Sequence, residues 1–152
     1  MLRVSSTVEI NSGPEPIWTL LSEPKRYPDW VATTEKMLDA SHDTVQSGST
    51  YREYSGIPPF MSESDWTVTE FEPMTHQRHL GDDGRVRMPL DLVVEPIDAD
   101  TSRLTITLGL QPRWFLAVPQ AILWPLMMRK RAQKAIDDTV ANAKRIVESE
   151  SA

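Results

Sequence analysis

The 152-residue chain contains no cysteine. Disulfides, thiolate nucleophiles and cysteine metal sites are thereby excluded, and the absence fits a reducing cytoplasm, where the protein is expected. Histidine is scarce, with only His42, His76 and His79. The last two are three residues apart, a spacing that sends side chains to opposite faces of a strand, and no carboxylate spacing completes a metal site. They read as ordinary surface or cavity histidines, and no metal is expected. Positive charge is outnumbered: 16 Lys and Arg stand against 22 Asp and Glu, for a net charge of −6. That balance suits neither nucleic acid nor an anionic membrane as a general partner. No apolar run reaches the roughly twenty residues of a membrane span. The nearest, Trp114 to Met128, is shorter and contains Pro119 and Pro125. The opening "MLRVSSTVEI" lacks the apolar core of a signal peptide. There is no Gly-x-Ser-x-Gly elbow, phosphate loop or dinucleotide fingerprint, which leaves hydrolase, nucleotide-dependent and dehydrogenase readings without support.

What is present is ordinary globular composition, 39% hydrophobic and 25% charged, without repeat, low-complexity tract or linker. A single domain over residues 1–152 is expected. Leu2, Val4, Ser6, Val8 and Ile10 alternate with polar residues, the period of a strand with one buried face. After "NSGP", Ser12 and Glu15 read as a capping box. Ile17, Leu20 and Leu21 then space a helix of about two turns. Glu23-Pro24 ends it, and "KRYPDW" predicts a second short helical piece or tight bend. Strands follow: a polar one, "KMLDASHDTVQSG", running to Gly48; "STYREYS", with Tyr51 and Glu53 on one face; a loop, "GIPPFMSES", exposing Ile57, Phe60 and Met61; and "DWTVTEFEP". A hairpin turning at residues 81–84 comes next, with Val86, Met88, Leu90, Leu92 and Val94 sharing a face. The last strand turns Leu104, Ile106, Leu108 and Leu110 inward. From about Gln120 to Glu148 the period becomes helical, with Met128, Ala132, Ala135, Ile136, Val140, Ala143, Ile146 and Val147 in one stripe. One helix stripe and one sheet face must bury each other, an α+β arrangement. The segment after the first strand carries the chain to the far edge of the curved sheet, where Trp18, Tyr27 and Trp30 plug the mouth of the space between sheet and helix.

In this order the elements resemble the START-like (SRPBCC) superfamily, in its polyketide cyclase/dehydrase branch. The residues that carry the resemblance are the strand "STVEI", the segment "PEPIWTLLSEPKRYPDW", Gly48 with Tyr51 as a Gly-x-x-aromatic strand, "VTEFEP" as Val-x-Glu-x-x-Pro, and the C-terminal helix. The resemblance implies a helix-grip fold: a curved antiparallel sheet of about seven strands wrapped around a long C-terminal helix, with two short helices after the first strand. It implies an apolar cavity between helix and sheet and no cofactor. The superfamily hosts carriers, cyclases and interaction modules, so fold analogy alone does not assign an activity.

Candidates for lining the cavity are Tyr51, Trp66, Val68, Met88, Leu90, Leu92, Leu108, Trp124 and Met128. Tyr51, Glu53 and His79 are the candidate catalytic groups, suited to polarising a carbonyl and moving protons. The phase of His79 stays open: family pattern turns it inward with Gln77, whereas apolar Leu80 argues the reverse. The expected partner is a small hydrophobic molecule, a lipid or a polycyclic aromatic, polyketide-like compound. The alternative is a cyclase or aromatase, and a third reading is an interaction module. Trp114 to Met128 followed by Arg129-Lys130-Arg131 has the character of a membrane-surface segment. The reading preferred for it is a strand exit, cavity lid and first helix turns.

Overall fold

The computed structural model describes residues 1–113 and 118–150, with side chains from residue 127 onward in the second stretch. The chain begins with β1 (Leu2–Ile10), α1 (Pro14–Leu21), a 3₁₀ turn (Pro24–Arg26) and α2 (Tyr27–Trp30). Six strands follow: β2 (Thr34–Ala40), β3 (Thr50–Ile57), β4 (Phe60–Glu72), β5 (His76–Asp82), β6 (Val86–Asp98) and β7 (Thr101–Pro112). The chain then enters α3 (Val118–Glu150). The strands form one antiparallel sheet in the order β1-β7-β6-β5-β4-β3-β2. This is the helix-grip arrangement. The excursion through α1 and α2 carries the chain from one sheet edge to the other, because β1 and β2 are the two ends.

Alternation builds the core. Leu2, Val4 and Ile10 of β1 are buried, as are Leu104, Ile106, Leu108 and Leu110 of β7, with Leu2 opposite Leu110 and Val4 opposite Leu108. The α3 stripe meets them: Met128, Ala132, Ala135, Ile136, Val140, Ala143 and Val147 are buried, and Ile146 half-buried. Side chains along α3 also hold the outer edge of β1. Gln133 Nε2 donates to the Ser5 carbonyl at 2.9 Å, Lys144 Nζ to the Glu9 carbonyl at 2.8 Å, and Asn11 N–H to Glu148 Oε2 at 2.8 Å. An edge strand whose carbonyls are so occupied is a poor template for a further strand.

Four local expectations are corrected. There is no capping box: Gly13 is the N-cap of α1, and Ser12 Oγ donates to the Gly13 carbonyl at 2.9 Å. Pro14 at the first helical position starts the helix in its place. β2 stops at Ala40 rather than Gly48. The loop beyond it is tied down by Val45, whose N–H reaches the Ser22 carbonyl at 2.8 Å and whose side chain is buried. The "GIPPFMSES" segment is no loop. β3 and β4 run to Ile57 and from Phe60, leaving only Pro58 and Pro59 between them, and Ile57 is buried. The turn between β5 and β6 comprises residues 83–85, with Gly84 at φ 88°, so Gly81 belongs to the strand.

Candidate functional site

Period-two alternation places three polar rows on the concave face of the sheet. Tyr51, Glu53 and Ser55 of β3 are buried, as are Ser64 and Trp66 of β4, and Gln77 and His79 of β5. Register then aligns them: Tyr51 lies opposite Trp66, Trp66 opposite Gly81, Val68 opposite His79 and Gly81 opposite Met88. Tyr51 and Trp66 are parallel, with ring centroids 6.0 Å apart and 1° between planes. On its other side the Trp66 indole covers Gly81 so closely that a Cβ there would sit 2.5 Å from the ring. Gly81→Val is therefore expected to displace Trp66 and to cost about 1–3 kcal/mol of stability through overpacking. An unchanged urea midpoint would show that the indole does not rest on this glycine.

Behind Trp66 is a chain of hydrogen bonds. Gln77 Nε2 donates to Ser22 Oγ at 2.8 Å, which leaves Gln77 Oε1 to accept from His79 Nε2 at 2.9 Å. His79 Nδ1 then carries the lone pair and accepts the Tyr51 hydroxyl proton at 2.6 Å. His79 is thus a neutral imidazole, and burial pulls its pKa down to about 3. Burial likewise pushes the Tyr51 and Tyr27 phenols well above the usual range. Glu53, 3% exposed, accepts from Thr34 Oγ1 at 3.0 Å. Burial raises its pKa to about 7, against the opposing effect of hydrogen bonds from Thr34 and Ser55. Ser64 Oγ accepts the Trp66 indole N–H and bonds Ser55 Oγ, both at 2.8 Å.

Two cavities meet at Thr33, Trp66 and Leu108, which line both. The inner one holds about 30 Å³, and Tyr27, Trp30, Tyr51, Glu53, His79 and Thr139 contribute to its wall. The outer one holds about 530 Å³, is mainly apolar, and is bordered by Ile57, Phe60, Met61, Met88, Leu110 and Met128. It opens beside Phe60 and Met127, which are 53% and 47% exposed. The strand pattern records it. Along β6, Leu92 and Val94 are buried, whereas Val86, Met88 and Leu90 on the same face are half-buried because they face this space and the inner cavity.

A family model described as polyketide cyclase/dehydrase and lipid transport matches residues 1–148. The chain belongs to this family. No curated protein matches it in sequence. Among solved structures, a START superfamily protein from Mycobacterium smegmatis superposes with TM-score 0.72 at 18% identity, covering 97% of each chain. An aromatase/cyclase from a Streptomyces species gives TM-score 0.72 at 16% identity, over 98% of this chain and 92% of that one. A norcoclaurine synthase from Thalictrum flavum gives 0.69 at 16% identity, over 99% and 96%. At these identities the likeness shows the fold.

In this member of the family, Tyr51, Leu90 and Leu92 line the inner cavity, Met88 and Met128 the outer, and Trp66 and Leu108 both. Val68 is a correction: it is fully buried within the hydrophobic core and lines neither cavity. The side chain of Trp124 lies outside the described residues, as does most of the Trp114–Met128 segment read as membrane-like. No described helix is long and apolar enough to cross a membrane. His79 faces inward with Gln77, and Leu80 outward. His76 sits on the convex face, its Nε2 2.9 Å from Asp91 Oδ1. Tyr27 and Trp30 wall the inner cavity and so close the deep end rather than the mouth, whereas Trp18 packs on Phe71 with centroids 5.3 Å apart and lines neither cavity. Sequence reading missed Thr33, Thr34, Ile57, Phe60 and Thr139 as lining residues. Only Ile57 had a signal, as it continues the period-two row of Tyr51, Glu53 and Ser55.

Proposed function

We propose that the protein is a single-domain, cofactor-free carrier that binds a small hydrophobic molecule, a lipid or a polycyclic aromatic compound, in the outer cavity. The observation that carries this reading is a mainly apolar space of about 530 Å³ bordered by adaptable methionines Met61, Met88, Met127 and Met128. The buried polar groups gather at the inner end, as expected where they orient a ligand whose affinity comes from apolar burial, while Ser62, Asp83 and Arg85 stand on the outer wall. Native mass spectrometry of gently purified protein, with organic extraction of its cargo, tests the reading. A protein that carries nothing and takes up no lipid or polycyclic aromatic compound would sink it.

A second reading is favoured by Glu53 and the Tyr51–His79 pair, an acid poised near neutrality and a phenol on a neutral imidazole beside the apolar space. It is a cyclase of the aromatase type, with these groups moving protons. In a carrier, Tyr51→Phe, Glu53→Gln or His79→Ala each changes affinity by one hydrogen bond, roughly two- to twelvefold. In a cyclase, loss of a positioned acid or base costs about 10²–10⁴ in rate while binding survives. Carrier behaviour is expected: measurable binding by tryptophan fluorescence and no turnover of polyketide-like aromatic substrates. If the wild type converts such a substrate and one substitution abolishes conversion but not binding, the cyclase reading replaces it.

A further inference from the structure

The inner cavity has a donor that nothing uses. Trp30 is 2% exposed and lines this space, yet its indole N–H has no hydrogen-bond partner among the described residues. Buried donors are nearly always satisfied, so this one asks for an acceptor. The other polar groups around it are largely occupied. Thr139 Oγ1 donates to the Ala135 carbonyl at 2.7 Å and accepts from Ala32 N–H at 3.0 Å. Thr34 Oγ1 donates to Glu53, and the Tyr51 hydroxyl to His79. What remains is the Trp30 N–H, the Thr33 hydroxyl, the capacity of the Glu53 carboxyl group beyond its bonds from Thr34 and Ser55, and the oxygen lone pair of Tyr51. The space of about 30 Å³ exceeds the roughly 10–15 Å³ that admits a water molecule yet is far smaller than the outer cavity, so it takes a small polar group and not the body of a ligand.

We propose that the inner cavity is a subsite for a single neutral oxygen of the ligand, a hydroxyl or carbonyl, received by the Trp30 N–H and the Glu53 carboxyl group while the apolar body fills the outer cavity. This rests on the carrier reading above and narrows it to amphipathic alcohols, phenols and ketones. Charge decides against acids. No Lys or Arg lines the inner cavity, and Arg85 lies on the exposed wall of the outer one, away from the Glu53 end. A carboxylate or phosphate would enter a low-dielectric space facing an acid and no counter-charge. Glu53, protonated up to about pH 7, has an O–H to give to a neutral oxygen.

The test is calorimetric titration of the full chain at pH 6 with naphthalene, naphthol and naphthoate. Naphthol is the more water-soluble of the neutral pair, so apolar transfer alone ranks it below naphthalene. The subsite predicts the reverse, with naphthol roughly two- to twelvefold tighter, and naphthoate no tighter than naphthalene. Trp30→Phe is expected to erase naphthol's advantage over naphthalene. Because the ranking is read on the wild type, it holds even if that variant folds poorly. Equal affinity for naphthol and naphthalene, or a preference for naphthoate, overturns the subsite but leaves the carrier reading standing. Failure of all three to bind also overturns the subsite, and uptake of lipid then decides whether the carrier reading stands.

Discussion

Ala143→Arg is expected to lower the free energy of unfolding by several kcal/mol, on the order of 2–4, through overpacking and burial of charge. Ala143 is fully buried on the stripe of α3 that meets the sheet. The distance between α3 and β1 has little slack, because the bonds from Gln133 to Ser5 and from Lys144 to Glu9 pin the helix on both sides of this position. A guanidinium there must either push the helix off the sheet, breaking these bonds, or remain among Ile136, Val140 and Val147, all of which are buried. For a chain of this size each kcal/mol moves the melting temperature by roughly 2–4 °C, so a fall of about 5–15 °C is expected. Ala141, two residues away and exposed, supplies the control. Ala141→Arg has the same helix propensity change and the same charge, and should stay within about 0.5 kcal/mol of wild type. Equal melting temperatures for the two variants would mean that the stripe does not face the sheet.

That stripe was legible in the sequence for a simple reason: apolar residues at helical spacing from Met128 to Val147 have no competing explanation over more than five turns. The same holds for β1 apart from Ser6, and for the rows Val86 to Val94 of β6 and Leu104 to Leu110 of β7, where every second residue is apolar and a shift of one would expose the whole set. Legibility failed where local chemistry and burial disagree. Pro58-Pro59 suggested a loop, yet two residues suffice to reverse the chain, and both strands keep pairing up to Ile57 and Phe60. Hydrophobicity places Leu80 inside and Gln77 and His79 outside, and the fold does the opposite. The inversion is tolerated because Ser22, Gln77, His79 and Tyr51 satisfy one another along a single chain of bonds. Ser22 is brought there from α1, a contact no spacing within the sheet could reveal. Sites of function are where local rules are expected to be broken, and the polar rows of β3 and β5 are such a break. The inner cavity was illegible for a further reason. Its wall takes Trp30 from α2, Thr139 from α3 and Leu90 from β6, three elements with no sequence relation.

The stability of the protein is expected to respond little to pH between about 4.5 and 6.5, because two buried groups cancel, and to acquire a slope when either is removed. His79 stays neutral in the fold down to about pH 3, whereas an unfolded imidazole takes a proton near 6.5. Between those values only the unfolded chain binds the proton, so this group makes stability fall as pH falls, by about 1.4 kcal/mol per pH unit. Glu53 keeps its proton in the fold to about pH 7, whereas an unfolded carboxyl loses it near 4.5. There only the folded chain holds the proton, and stability falls as pH rises, with the same slope. The two overlap between 4.5 and 6.5 with opposite sign. Glu53→Gln removes one side of the balance. Relative to wild type, the variant should be unchanged below pH 4.5, should gain steadily above it, and should reach an advantage of about 3 kcal/mol by pH 8, where wild type carries a buried carboxylate. His79→Gln removes the other, and its difference profile should instead climb as pH falls below 6.5. Differences between variant and wild type cancel the surface carboxylates that titrate in the same range. Urea unfolding midpoints between pH 3.5 and 8 provide the measurement. A Glu53→Gln protein that gains nothing between pH 4.5 and 8 would show that Glu53 is ionised in the fold at neutral pH, and the proton it is assigned in the inner cavity would go with it.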